Sequence, residues 1–396
     1  MTNAQTQATS TKVTYMPTNA DESEMLDLMT ILDEIGPEIK RNGEESDPQD
    51  NFSLANYELL KTNKIFSAMV PGELGGGGCD YASMCQFLTG LSAYHPSTAL
   101  SLSMHQHIIA ANRFNYINGK PGKVLLEKVA ASELVLVSTG AGDWLASCGE
   151  MDKVDGGYLF SGVKHFASGS PGGDLLVTSG PFNDPVDGWQ VLHFPVSLKA
   201  EGVKILDNWR PMGMRGTGSN SVKLDKVFVP EESVAVKRSR GDFHAMWCVV
   251  LPVALPLIMS VYRGIAISAA ERARRRCIAS KDPVTPYILG EMENALTNSG
   301  IIVEDMIRLT SDFQFTPHID LVNEMVKRKT LAAGACKETT TKAVEACGGP
   351  GFLRDFNIES LFRDSMASHF HPMQEKRQLL FSGSLAMQKE PPSQAF

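Results

Sequence analysis

At 396 residues, 43% of them hydrophobic, the chain is long enough for two or three domains with a buried core. With 37 Lys+Arg against 45 Asp+Glu, its net charge of −8 argues against nucleic acid or an anionic membrane as a partner held by bulk electrostatics. The seven cysteines are scattered and form no Cys-x-x-Cys pair, which points away from a disulfide framework or a zinc knuckle and toward a reducing cytoplasm.

Residues 1–19 are rich in Thr, Gln, Asn and Ser and lack the basic-then-apolar layout of a signal peptide, so they read as a disordered tail. From Ser23, a plausible N-cap, the apolar residues Met25, Leu28, Met29, Leu32, Ile35 and Ile39 fall at three- and four-residue spacing. Helical patterns continue over 55–62 and 81–94, with a glycine-rich turn at 72–78 between them. Residues 20–131 therefore read as an N-terminal all-α domain. Short β-branched and aromatic runs then follow at 134–138, 158–161, 175–178, 190–196 and 221–229, separated by turn signals such as Asp155-Gly156 and Asp187-Gly188. Residues 132–238 therefore read as a small β domain.

Helical spacing returns over 239–388, clearest where Val322, Met325, Val326, Lys329, Ala332, Ala333 and Cys336 share one face. The apolar run from Ala245 to Met259 is shorter than the roughly 18 residues a membrane helix needs and contains Pro252 and Pro256. It reads as a buried core helix. Residues 389–396 read as a second tail.

Several segments carry chemistry. Pro71 to Gly78 is not a phosphate loop, because no Lys follows it and no strand–helix unit frames it. Ser138-Thr139-Gly140-Ala141-Gly142-Asp143 follows a β run, and its small residues let backbone N–H groups approach an anion or a flat ring edge. Lys164-His165-Phe166-Ala167-Ser168-Gly169 sets an aromatic beside a small hydroxyl residue, as a polar-rimmed heterocycle requires. Trp209 to Asn220 is a Gly-rich turn leading into an alternating strand that ends at Val229-Pro230. Cys347-Gly348-Gly349-Pro350-Gly351-Phe352 precedes Glu359-Ser360-Leu361-Phe362-Arg363-Asp364. His105 and His107 fall on different faces of a helix, which argues against a shared metal.

The order helix, strand, helix, together with these motifs, resembles the acyl-CoA dehydrogenase superfamily over nearly the whole chain. The resemblance implies an N-terminal helical domain, a middle β-barrel-like domain and a C-terminal four-helix bundle. It implies FAD as cofactor, with FMN or reduced flavin as alternatives, because no Arg-x-x-Phe-Gly motif occurs near Arg274 to Pro283. Flavin contacts are expected from Val137, Ser138, Gly140, Gly142, Phe166, Ala167 and Ser168. Gly348, Gly349, Gly351 and Phe352 are expected to meet the adenosine diphosphate half from a neighbouring subunit, which implies a homodimer or homotetramer.

Nine residues beyond Arg363, where fatty-acyl relatives carry their catalytic Glu, this chain has Pro372. Proline cannot remove the acidic proton next to a thioester carbonyl, and the other known location, near Trp247, is also without a Glu. His371, eight residues beyond Arg363, titrates in a useful range and sits where related two-component flavin monooxygenases place a working His. The candidate catalytic residues are thus His371, Glu375 and His105.

The first reading is α,β-dehydrogenation of an acyl group on coenzyme A or a carrier, with a relocated base and an electron-transfer flavoprotein as partner. The alternative is monooxygenation of a small hydrophobic or aromatic molecule, with a flavin reductase as partner. A third reading is a flavin-fold protein that binds an acyl ligand or a partner without turnover.

Overall fold

The computed structural model describes residues 26–46, 51–140 and 145–395. The 1–19 tail, Ser23, Met25, Gly142 and Asp143 lie outside the described residues. Helix α1 (Leu28–Ser46) buries Leu28, Leu32, Ile35 and Ile39, the stripe its spacing predicts. The Asp27 carboxylate accepts the N–H groups of Met29 and Thr30, both at 3.1 Å, and so satisfies two donors that a helix start leaves open. Ser53 and Asp80 cap α2 (Leu54–Thr62) and α3 (Tyr81–Tyr94) in the same way. Helix α4 (Pro96–Ile117) opens with proline, whose missing N–H costs nothing in the first turn. Helix α5 (Lys123–Ser132) leads into the strands.

Eight strands follow: β1 (Leu136–Ser138), β2 (Glu150–Val154), β3 (Gly157–Ala167), β4 (Leu175–Asp184), β5 (Gly188–Ser197), β6 (Val203–Ile205), β7 (Asn220–Pro230) and β8 (Val236–Ser239). They form two four-stranded sheets, ordered β1-β4-β5-β8 and β2-β3-β7-β6, and β1 runs parallel to β4. Phe160 of one sheet meets Phe194 of the other at 5.5 Å, within a shared core that includes Leu176, Val222 and Leu224. The β domain expected to be barrel-like thus consists of two four-stranded sheets that share a core. The β3–β7 pairing slips between Lys164 and Ala167, and there Phe166 takes φ +57°. A bulge of this kind re-aims a side chain out of the ladder.

The C-terminal region has three long helices, α6 (Trp247–Cys277), α7 (Thr285–Thr310) and α8 (Ile319–Cys347). Two short ones, α9 (Ile358–Met366) and α10 (Glu375–Ala386), follow in the region expected to hold a four-helix bundle, separated by the 367–374 turn. Helix α6 is apolar on nearly every side and is packed by α3, α4, α7 and α8. It is long and apolar enough to cross a membrane by composition, yet 89% of its apolar window is buried inside the protein. One hydrophobic core consequently runs from α1 to α10 through α6, and strands β1 and β4 reach it through Leu136, Leu175 and Val177.

Candidate active site

The candidate site is built around Phe166, in the bulge of β3. Its ring is 61% exposed, although residues on both sides of the bulge are buried, and the edge of Trp209 meets it at 6.1 Å. Trp209 is itself held by its indole N–H, which donates to the Met214 carbonyl, and by its backbone N–H, which donates to Asn220 Oδ1. Gly140 donates its N–H to the His165 carbonyl at 2.9 Å, and a Cβ at this position would lie 3.0 Å from both the His165 oxygen and Phe166 Cβ. Only a glycine lets the two segments come this close. Beside the ring, the hydroxyls of Ser168, Ser219 and Thr217 form a chain with 2.7 Å steps. An exposed aromatic two residues ahead of a hydroxyl chain fits a flavin ring, which needs apolar support for its face and hydrogen-bonding groups at its edge.

The Glu359 to Asp364 motif has a concrete task. Arg363, paired with Glu359 at 2.6 Å, donates to the Met212 carbonyl at 2.6 Å, and Asp364 Oδ1 accepts the Met214 N–H at 2.5 Å. A Cβ on Gly213 would fall 2.2 Å from the Arg363 carbonyl oxygen, so backbone rests on backbone. From the other side, Ser97 Oγ of α4 accepts the Gly216 N–H at 3.1 Å. Helices α4 and α9 therefore grip the turn that carries Thr217 and Ser219. This clamp was hidden in the sequence, because its partners are backbone groups about 150 residues away.

His371 lies in the turn between α9 and α10. Its Nε2 shares a 2.6 Å hydrogen bond with the Tyr262 hydroxyl of α6, and its carbonyl accepts the Lys329 ammonium of α8 at 2.8 Å. Burial, and then the Lys329 charge, hold the imidazole down to about 3, so it is neutral at physiological pH. Burial also pushes the Lys329 ammonium down to about 8. Tyr262, fully buried and beside the Asp364 charge, has its hydroxyl pushed well up and stays protonated. Neutral imidazole against a phenol is a pair that can accept or pass one proton. Glu375 is exposed at the first residue of α10, with Lys376 at 3.7 Å, and its charge reaches the Lys329 ammonium. Trp247 opens α6 beneath the Arg238 guanidinium, 5.6 Å from its ring, and beside the His193 ring at 6.3 Å.

The structure gives His105 a structural position. Fully buried, it donates from Nε2 to the Phe66 carbonyl at 2.8 Å and accepts the Leu136 N–H at Nδ1 at 2.9 Å. Both nitrogens are thus spent tying α4 to the start of β1, and burial lowers the ring to about 4. Val137 points into the core between the sheets, fully buried, while the neighbouring Ser138 is half-buried. Ala167 is fully buried in the same core. Gly348, Gly349, Gly351 and Phe352 form a turn at the end of α8, packed on α8 and α9. A Cβ on Gly351 would meet the Val344 carbonyl at 2.6 Å, and Phe352 is 85% exposed. Among the described residues no hydrogen bond or ring contact joins this turn to Phe166 or Ser168.

Residues 30–121 match the family model described as the acyl-CoA dehydrogenase N-terminal domain. A dibenzothiophene monooxygenase of Rhodococcus qingshengii is 25% identical over 367 residues, covering 83% of this chain and 85% of that protein. A cyclohex-1-ene-1-carbonyl-CoA dehydrogenase of Syntrophus aciditrophicus is 24% identical over 357 residues, covering 84% and 82%. The solved structure of TdsC from Paenibacillus sp. A11-2, with FMN and indole, superposes with a TM-score of 0.80 at 17% identity, covering 92% of this chain and 98% of that one. Residues 30–121 thus carry an acyl-CoA dehydrogenase N-terminal domain, the chain as a whole shares the fold of these enzymes, and its similarity to flavin-dependent dehydrogenases and monooxygenases is consistent with a flavin oxidoreductase.

Proposed function

We propose that the chain is a reduced-flavin-dependent monooxygenase acting on a small hydrophobic or aromatic molecule. The observation that carries this reading is the 2.6 Å His371–Tyr262 pair, standing beside the position where an acyl-CoA dehydrogenase needs a carboxylate. α,β-Dehydrogenation requires a base strong enough to take a proton next to a carbonyl, and an imidazole held down to about 3 is a poor one. The one acid in the segment, Glu375, is exposed. The dibenzothiophene monooxygenase relative and the FMN- and indole-bound neighbour support the same reading.

Reduced flavin, when bound, supplies the activation of molecular oxygen. Phe166 would support the ring face and Ser168, with Ser219 and Thr217 behind it, would hydrogen-bond its edge. FMN is the form we favour, whereas whole FAD would call on Gly348 to Phe352 of a second copy. His371 and Tyr262 would hold a proton at Nε2 or Oη close to the reacting atoms and release it to the outgoing oxygen. A flavin reductase is the partner this chemistry needs.

The dehydrogenase relative favours a second reading, in which a CoA- or carrier-linked acyl group is the substrate and an electron-transfer flavoprotein the partner. The two readings separate when reduced FMN is supplied in air with a panel of small aromatic heterocycles. The monooxygenase reading predicts a product heavier by one oxygen atom. If no such product forms, and acyl thioesters bleach the bound oxidised flavin without oxygen, the dehydrogenase reading replaces it.

A further inference from the structure

Lys329 stands on the otherwise apolar face of α8, and its side chain is 1% exposed. The ammonium donates to the carbonyls of His371 at 2.8 Å and Met373 at 3.4 Å. A buried ammonium gives up hydration that a Met or Leu at this position would not, so its presence needs a gain elsewhere. The gain lies in the turn it holds. Residues 371–373 connect α9 to α10 outside any helix, and their carbonyls have no helical N–H to bond. Lys329 supplies the missing donors from α8, while Tyr262 meets the same histidine from α6.

We propose that Lys329 is a positioning residue for His371: by holding the 371–373 carbonyls it keeps the imidazole seated on the Tyr262 hydroxyl. The proposal rests on the reading of His371 as the working group of the site. The charged and titratable groups around the ammonium are consistent with a role in placement. Glu375 of α10 is the acid whose charge reaches it, but that side chain is half paired to Lys376 and exposed, so the carbonyls are the closest partners. His369 of the same turn and Lys337 further along α8 complete the neighbourhood, and Asp364 of α9 acts on Tyr262. None of these could replace Lys329 as a donor to both carbonyls.

The test uses flavin-loaded protein with 15N-labelled histidine, comparing wild type, Lys329→Met and Lys329→Gln, with His371→Ala to assign the His371 signals. The expected result for Lys329→Met is a displaced His371 ring signal, a turnover number lower by roughly 10- to 100-fold, and flavin affinity little changed. Lys329→Gln, which keeps an N–H donor without the charge, should recover part of both the signal and the rate. An unmoved His371 signal in Lys329→Met overturns the proposal, and should that variant not fold, an unmoved signal in Lys329→Gln does so. If His371→Ala turns over normally, the reading of the site fails instead. The ring signal of Lys329→Met still decides, by itself, whether Lys329 positions the imidazole.

Discussion

Replacing Asp364 by Ala probes the clamp between α9 and the turn that carries the hydroxyl chain. Asp364 is 9% exposed and accepts the Met214 N–H at 2.5 Å, so the substitution leaves a buried backbone donor without its charged acceptor. A hydrogen bond to a charged group contributes about 1.5–3 kcal/mol, and the abandoned donor carries its own desolvation cost. Met214 also accepts from Thr217 Oγ1 and from the Trp209 indole, so loosening it frees both the hydroxyl chain and the wall of Phe166. If about 2 kcal/mol of this appears in cofactor binding, the flavin dissociation constant rises roughly 30-fold. Asp364→Asn keeps an oxygen acceptor and should lose less than half as much free energy. Titration of the apoprotein, followed by flavin fluorescence quenching, reads this directly. An affinity for Asp364→Ala within about twofold of wild type would refute the clamp as a determinant of the flavin face.

Other consequences are independent of the clamp's charge. Phe166→Ala removes the exposed platform, and aromatic pair energies of about 0.5–1.5 kcal/mol imply flavin binding weaker by roughly 2- to 12-fold; equal retention after dialysis would exclude stacking at Phe166. Gly213→Ala puts a Cβ 2.2 Å from the Arg363 carbonyl oxygen, backbone against backbone, and should cost about 1–3 kcal/mol in unfolding free energy. A variant as stable as wild type in urea would show that the contact yields freely. Burial holds His105 and His107 down to about 4 and His193 and His371 to about 3, against an ordinary 6.5. Each is neutral when folded and takes up a proton when unfolded, so stability is complete above about pH 6.5 and falls as pH drops toward 4. His105 alone accounts for about 2 kcal/mol of loss at pH 5, and a flat denaturation midpoint between pH 7 and 5 would contradict this.

The architecture was legible wherever one-dimensional periodicity matches a buried face. Leu28, Leu32, Ile35 and Ile39 announce α1, and the change from three-to-four spacing to alternation locates the strands. Strands β2, β6 and β8 escaped because they are short and mostly polar on their open side. At the site, Phe166 stood out by its neighbours, but its exposure comes from a register slip that no local pattern reveals. His105 was a catalytic candidate by resemblance alone, and the two backbone partners that hold it lie on other elements, where no local pattern reveals them. Lys329 carried a signal in plain view, a lysine on an apolar face. Tyr262 carried none, since an aromatic within a long apolar helix is what any core provides.

We propose that His371 is the working proton carrier of an oxygen-transfer site. The most direct test is a single turnover under 18O2 with FMN-loaded, pre-reduced protein, comparing wild type with His371→Ala. One labelled oxygen is expected in the wild-type product and, in His371→Ala, a rate lower by roughly 10²- to 10⁴-fold at near-equal flavin occupancy. Equal rates in the two proteins, or a product that has lost two hydrogens and gained no label, would contradict it.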